Sequence, residues 1–300
     1  MSKSHHNPEN WILLTLLTLI WGSSYILIKK GLIAFTPLEL ASLRISISCL
    51  VSLPFAVKAF LTVPRHKYFT ILQVGIFGSG APAILFSIAM TKSDSGLNGI
   101  LNSLSPLWTL VVGYYIFKIN ISAQKVWGVI IGFAGALVLV LGKKGGGIKV
   151  DTLYSILPVI ATFCYGMSSN ITKQKLQDQN PVYSTSLAML MVGIPALIGL
   201  GFSDAPHKIN TGQAWVSLAS VAFLAIFGTL IAWILFYRLV QRTDALFAAS
   251  VTYLIPVVAL YWGYRDGEQL TIIQIGGMLL ILLGVYFTTA SKAIAADKPN

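Results

Sequence analysis

Residues 97–114, LNGILNSLSPLWTLVVGY, and residues 247–264, FAASVTYLIPVVALYWGY, are uncharged stretches 150 positions apart that place Leu104 on Leu254, Pro106 on Pro256 and Gly113 on Gly263. A helix needs roughly 20 mostly apolar residues to cross the ~30 Å hydrocarbon core of a bilayer. Each stretch, with its flanks, reads as one membrane span, and the pair reads as a duplication.

Working outward, ten segments meet the same requirement: 11–28, 38–57, 68–90, 97–117, 126–141, 153–171, 182–202, 215–237, 246–264 and 271–289. Their connections are short and hold the turn and charge signals, such as PRHK at 64–67, KKGGG at 143–147, QDQNP at 177–181 and RDGE at 265–268. The duplication extends through them. With an offset of 144, Gly22, Ser24, Lys29, Leu32 and Pro37 fall on Gly166, Ser168, Lys173, Leu176 and Pro181, and Trp21 on Tyr165. With an offset of 150, Phe86 and Asp94 fall on Phe236 and Asp244, and one residue of slippage brings Gly128 and Gly135 onto Gly277 and Gly284.

The chain therefore divides into a tail at 1–10, a first five-helix repeat at 11–142, a linker at 143–151, a second repeat at 152–290 and a tail at 291–300. Because each copy has an odd number of spans, the second enters the membrane upside down relative to the first. The expected fold is an all-α membrane protein of ten transmembrane helices in two inverted five-helix repeats, an arrangement used by transporters that work by alternating access. In the short loops, 12 Lys and Arg lie on the side of the N-terminus and 8 on the other, which places both termini in the cytoplasm.

Composition narrows the function. Of 300 residues 55% are hydrophobic and only 10% charged, against roughly 25% charged in soluble domains. The net charge of +11 is scattered between apolar runs, which argues against nucleic-acid binding. Cys49 and Cys164 lie inside apolar segments with no metal-binding spacing, and His5, His6, His66 and His207 lie in tails or loops. No cofactor, metal site or intramembrane enzyme is indicated. A channel remains open on composition, but the inverted duplication favours a carrier. The apolar run from Trp11 to Ile28, with no cleavage site after it, reads as a retained first helix.

The order and duplication of WGSSYILIKKG in the first helix, Pro37 and Arg44 in the second, the two stretches quoted above, and DGEQLTIIQIGGMLLILLGVYF at the end resemble the EamA-type drug/metabolite transporter superfamily. The resemblance covers nearly the whole chain. It implies a secondary transporter exporting small polar metabolites, such as amino acids, across the bacterial inner membrane. One departure stands out: the Gly-Glu that precedes the last helix of each family repeat is Gly267 and Glu268 in the second half, but Phe117 and Lys118 in the first.

Arg44 is the only charged residue well inside a span, about 10 Å along the axis from Pro37. Insertion scales put an Arg at that depth at about 2.5–3.5 kcal/mol, so something must offset it. Either the guanidinium caps backbone carbonyls at a helix break or reaches the interface, or it faces a wet cavity and binds an anionic group of a substrate. Asn98, Asn102 and Ser105 form a polar stripe at helical spacing, open to substrate contact or to interhelical bonding. Ser24 and Tyr25 interrupt the first span where Ser168 interrupts the sixth, and Trp21, Tyr165 and Tyr253 lie deep enough either to line a cavity or simply to pack. Pro106 and Pro256 form either a hinge or a fixed bend. The partner read from these residues is a zwitterionic or anionic small molecule, within lipid. All ten acids lie in tails, loops or first turns, which implies facilitated diffusion or exchange, with Glu39 the one candidate for a proton relay. Pro37 and Pro181 start equivalent helices of inverted copies, so Pro37→Cys and Pro181→Cys should label from opposite faces of sealed cells; labelling from the same face would refute the inversion.

Overall fold

The structure, a computed structural model, describes residues 7–92, 95–141, 152–210, 214–265 and 271–290. The tails, the linker, Asp94, Gly267 and Glu268 lie outside these residues, apart from 7–10 of the first tail. The secondary structure among the described residues is helical. In chain order the helices are α1 (Pro8–Gly31), α2 (Pro37–Thr62), α3 (Arg65–Ala89), α4 in two pieces (Ser95–Asn102 and Ser105–Tyr115) and α5 (Ala123–Leu141). They continue with α6 (Thr152–Lys175), α7 (Pro181–Gly201), α8 (Trp215–Arg242), α9 in two pieces (Ala245–Ala249 and Val251–Arg265) and α10 (Ile272–Ala290).

By length and composition 5 of these, α1, α2, α3, α7 and α8, can cross a membrane, and Ala123–Val138, Ala245–Val258 and Ile275–Thr288 are shorter apolar helices. The other expected spans are helical as well. The α4 segment breaks at Ser103 and Leu104, just before Pro106, and the α9 segment at Ser250; Ser168, Ser169, Asn170 and Thr172, in the second half of α6, are buried.

Local chemistry sets the helix starts. Thr36 and Glu39 form a capping box ahead of α2, with Pro37 in its first turn. Asn180 accepts the Val182 N–H at 2.8 Å before α7, and Asp244 accepts the Phe247 N–H at 2.8 Å before α9. Glu39 is further ion-paired to Lys208 at 2.7 Å, so its carboxylate belongs to a helix start.

Helices of the two halves pack against each other. Gly128 of α5 meets Thr288 and Gly284 of α10, while Gly135 meets Ile281 and Gly277, so α5 and α10 run antiparallel. The same holds for α2 and α7. Glu39 at the start of α2 reaches Lys208 beyond the end of α7, and Lys67 beyond the end of α2 reaches Asp178 before α7 at 3.2 Å. Midway, Gly193 lies against Cys49. At one end of the bundle Glu9 of α1 pairs with Arg238 and Arg242 of α8, and at the other Ser217 of α8 donates to the Lys30 carbonyl.

The outer surface carries Leu16, Phe69, Leu279 and many other exposed apolar side chains, as a lipid-facing surface requires. Trp127 and Trp215 are exposed near helix ends, the position of aromatic belt residues. A Cβ added at Gly284 would lie 2.4 Å from the Gly132 backbone nitrogen, whereas one at Gly199 meets nothing within 4 Å. Gly284→Val is therefore expected to destabilise the protein by about 1–3 kcal/mol or more and Gly199→Ala to be near neutral, both read as thermal unfolding in detergent.

Candidate functional site

A cavity lies among α1, α2, α3, α4, α6, α8 and α9. One wall is aromatic. Trp21 of α1 and Trp233 of α8 have ring centroids 5.7 Å apart, and Phe236 lies 5.4 Å from Trp21 and 5.3 Å from Trp233. Tyr165 of α6 joins Trp233 at 5.8 Å and stacks on Phe86 of α3 at 6.1 Å. The opposite chemistry comes from Arg44 and from the hydroxyl and amide groups of Ser24, Asn102, Ser105, Thr109, Ser169 and Thr252.

These hydroxyls donate to their own helices. Ser24 reaches the Ile20 carbonyl at 2.9 Å, Ser105 that of Asn102 at 2.7 Å, Thr109 that of Ser105 at 2.8 Å and Ser169 that of Tyr165 at 2.8 Å. With the hydrogen committed to backbone, what each oxygen offers the cavity is a lone pair. Asn102 adds a buried Oδ1 that accepts no hydrogen bond among the described residues. The lining is thus rich in acceptors and aromatic faces, with Arg44 as its charged donor, and among the described residues it contains no Asp, Glu, His or Cys.

Arg44 is held by an irregular turn. α8 is wound as a π helix over Ile226–Ile231, and α3 over Ile76–Gly80, positions 150 apart. A π turn displaces carbonyls from the regular ladder, and side chains satisfy them here. Trp21 Nε1 donates to the Gly228 carbonyl at 3.0 Å, and Arg44 Nη2 reaches the same oxygen at 3.4 Å. Arg44 Nε donates to Thr229 Oγ1 at 2.5 Å, Thr229 Oγ1 donates to the Leu224 carbonyl at 3.2 Å, and Ser48 Oγ reaches the Ala225 carbonyl at 2.8 Å. The guanidinium therefore caps carbonyls and lines the cavity at once, and its Nη1 makes no hydrogen bond among the described residues.

Of the residues singled out from sequence, Trp21, Ser24, Tyr25, Arg44, Asn102, Ser105 and Tyr165 come together on this cavity. Three lie elsewhere. Ser168 faces Gly78, the Val74 carbonyl and the Tyr237 hydroxyl, because it sits one residue round the helix from Ser169. Tyr253 is buried against Gly132, and its hydroxyl donates to the Val129 carbonyl at 2.9 Å. Asn98 is buried one turn before Asn102 and away from the lining. Pro106 lies in the first turn after the α4 break, next to Ser105, and Pro256 lies next to Ile255 of the lining. Phe86, Trp233, Phe236 and Thr109 were not anticipated. A usable signal was present, since Phe86 and Phe236 are equivalent and IFG recurs at 76–78 and 226–228, where the π turns fall.

Equivalent residues exchange partners around the cavity. Trp21 packs on Phe236 and its equivalent Tyr165 on Phe86. Gly22 lies against Val258 and Gly166 against Trp108; Gly228 lies against Ser24 and Gly78 against Ser168.

The family profile described as the EamA-like transporter family matches residues 10–141 and again 152–290. An uncharacterized transporter of Archaeoglobus fulgidus is 28% identical, over 95% of this chain and 100% of that protein. A Salmonella typhimurium protein named a probable amino-acid metabolite efflux pump is 25% identical over 93% of this chain and 94% of its own length. The uncharacterized inner membrane transporter YedA of Escherichia coli K12 is 26% identical over 94% and 91%. A crystal structure sharing 16% identity superposes with a TM-score of 0.72 over 94% of this chain and 97% of that one, which relates the folds.

The clamp on α8 is open to test. Thr229→Val removes the oxygen that receives Arg44 Nε and should destabilise the protein by roughly 1.5–3 kcal/mol, the range for a hydrogen bond to a charged group. Thr229→Ser should restore most of it, with thermal unfolding in detergent as the measurement.

Proposed function

Because the chain belongs to the EamA-like transporter family, a family of transporters and not of enzymes, we propose that it exports small polar metabolites such as amino acids by alternating access between two inverted five-helix repeats. The observation that carries this reading is the exchange of partners by equivalent residues around one cavity. If residue A of one half meets B of the other, and the equivalent of A meets the equivalent of B, the halves are related by a two-fold axis. Trp21 with Phe236 and Tyr165 with Phe86 form such a set, as do Gly22 with Val258 and Gly166 with Trp108. Cys49 meets Gly193, its own equivalent, which supports the same reading, since a contact on such an axis joins equivalent residues. The antiparallel course of α5 and α10 supports an axis lying in the membrane plane, which inverts one half against the other.

The lining supports a zwitterionic substrate. Arg44 is suited to a carboxylate, while aromatic faces and the acceptors of Ser24, Asn102, Ser105 and Ser169 are suited to an ammonium group in the absence of an acid. The efflux role named for the Salmonella relative favours export of amino acids, and the E. coli relative favours the inner membrane. The excess of Lys and Arg on the side of the N-terminus favours cytoplasmic termini.

A metabolite-release screen in cells overproducing the protein identifies the substrate, and transport in liposomes then tests Arg44. Affinity should fall from wild type to Arg44→Lys to Arg44→Ala. Loss of a charge-assisted contact of about 1.5–3 kcal/mol corresponds to roughly ten- to more than a hundredfold weaker apparent affinity. Monodispersity is measured on the same preparations, because Arg44 also clamps α8. A monodisperse Arg44→Ala protein with unchanged affinity would remove Arg44 from the site and leave Asn102 and Ser105 as its anchors.

A further inference from the structure

Lys173 and Lys29 occupy equivalent places, 144 positions apart, and are engaged very differently. Lys173, in the last turn of α6, directs its ammonium into the C-terminal end of α8. Nζ donates to the carbonyls of Val240 at 3.1 Å and Gln241 at 3.3 Å, and to that of Thr243. Carbonyls at a helix C-terminus lack N–H partners within the helix, and the dipole favours a cation there. Side-chain amides fasten the same junction: Gln241 Nε2 reaches the carbonyls of Leu176 at 2.7 Å and Gln179 at 2.8 Å, and Gln177 Nε2 that of Gln241 at 2.7 Å.

Lys29, in the last turn of α1, is exposed and makes no hydrogen bond or ion pair among the described residues. Both lysines stand in the same relation to the cavity. Ser169 lines it one turn before Lys173, and its equivalent Tyr25 lines it one turn before Lys29. The two lysines thus stand beyond opposite ends of one cavity, one engaged and one not.

We propose that Lys173 and Lys29 are reciprocal gate residues. In the state seen here the Lys173 ammonium ties the end of α6 to the end of α8 and closes that end of the bundle. In the opposite state the repeats exchange conformations: Lys29 caps the C-terminal carbonyls of α3 at Met90 and Thr91, the equivalents of Val240 and Gln241, and Lys173 is released. One helix end is capped in each state, so the two differ little in energy, as a cycling carrier needs. This inference rests on the inverted-repeat reading.

The test uses the full chain in sealed membrane vesicles of both orientations. Ser105→Cys on the cavity wall is the reporter, in a Cys49→Ala and Cys164→Ala background, with a membrane-impermeant maleimide as probe. The proposal expects labelling mainly from the Lys29 side in the parent. Lys173→Met should shift the ratio of the two sides by about tenfold toward the opposite face, the scale of an ion at a helix end. Lys29→Met should shift it by a similar factor the other way, although Lys29 makes no hydrogen bond or ion pair among the described residues, and the doubly substituted chain should return toward the parent ratio. Because Lys29 is exposed, its variant folds normally and decides the matter whatever becomes of Lys173→Met: a parent-like ratio in Lys29→Met overturns the gate. Labelling confined to one face in every variant would overturn alternating access itself, whereas two-sided labelling that ignores both lysines overturns the gate alone.

Discussion

A backbone carbonyl at membrane depth must find a donor within the protein, because hydrocarbon supplies none. The π turn of α8 leaves such carbonyls at Leu224, Ala225 and Gly228, and their donors come from three helices: Trp21 of α1, Arg44 and Ser48 of α2, and Thr229 of α8 itself. This single demand explains how an arginine is tolerated inside a span. The guanidinium gains hydrogen bonds that offset its desolvation, and because it is drawn to an irregular turn beside the cavity it also charges the cavity wall. Capping and lining, which look like competing roles in the sequence, are one arrangement.

The same demand is met differently in the other half. The π turn of α3 packs Gly78 against Ser168, as Gly228 packs against Ser24, but the residue equivalent to Arg44 is Ala188. There the Tyr237 hydroxyl faces the Val74 carbonyl and Ser168 instead. The backbone geometry is repeated while the side-chain chemistry is not. The cavity consequently has a charged side and an aromatic side.

Close approach of helices supplies the framework. Without a hydrophobic drive between helices in lipid, small residues that allow backbone contact do much of the packing. Gly128, Gly132, Gly135 and Gly284 let α5 and α10 touch along their length, and neither helix contributes to the cavity lining among the described residues. Cavity and scaffold are thereby separated: the lining helices are free to differ between halves while the glycine seam keeps the halves together.

Much was legible in the sequence. Hydropathy and length settle that the chain is a helical membrane protein, since about 20 apolar residues per segment have no other stable use. Self-similarity reveals the duplication, and an isolated charge at Arg44 marks a special position because burial there needs a compensating partner. Helical spacing alone does not decide which face of a polar helix meets the cavity: Ser168 and Ser169 differ by about 100° of rotation, and only the packing of α6 against α3 and α8 turns Ser169 inward and Ser168 toward Gly78. Tyr253 shows the same limit, since its hydroxyl is claimed by the Val129 carbonyl across the bundle. The aromatic wall of Phe86, Trp233 and Phe236 likewise follows from the π turns, which shift the helical register of α3 and α8 after Gly78 and Gly228. Composition and periodicity act along one helix and are written in the sequence; orientation toward a shared cavity depends on partners from distant segments, and only the tertiary structure brings those together.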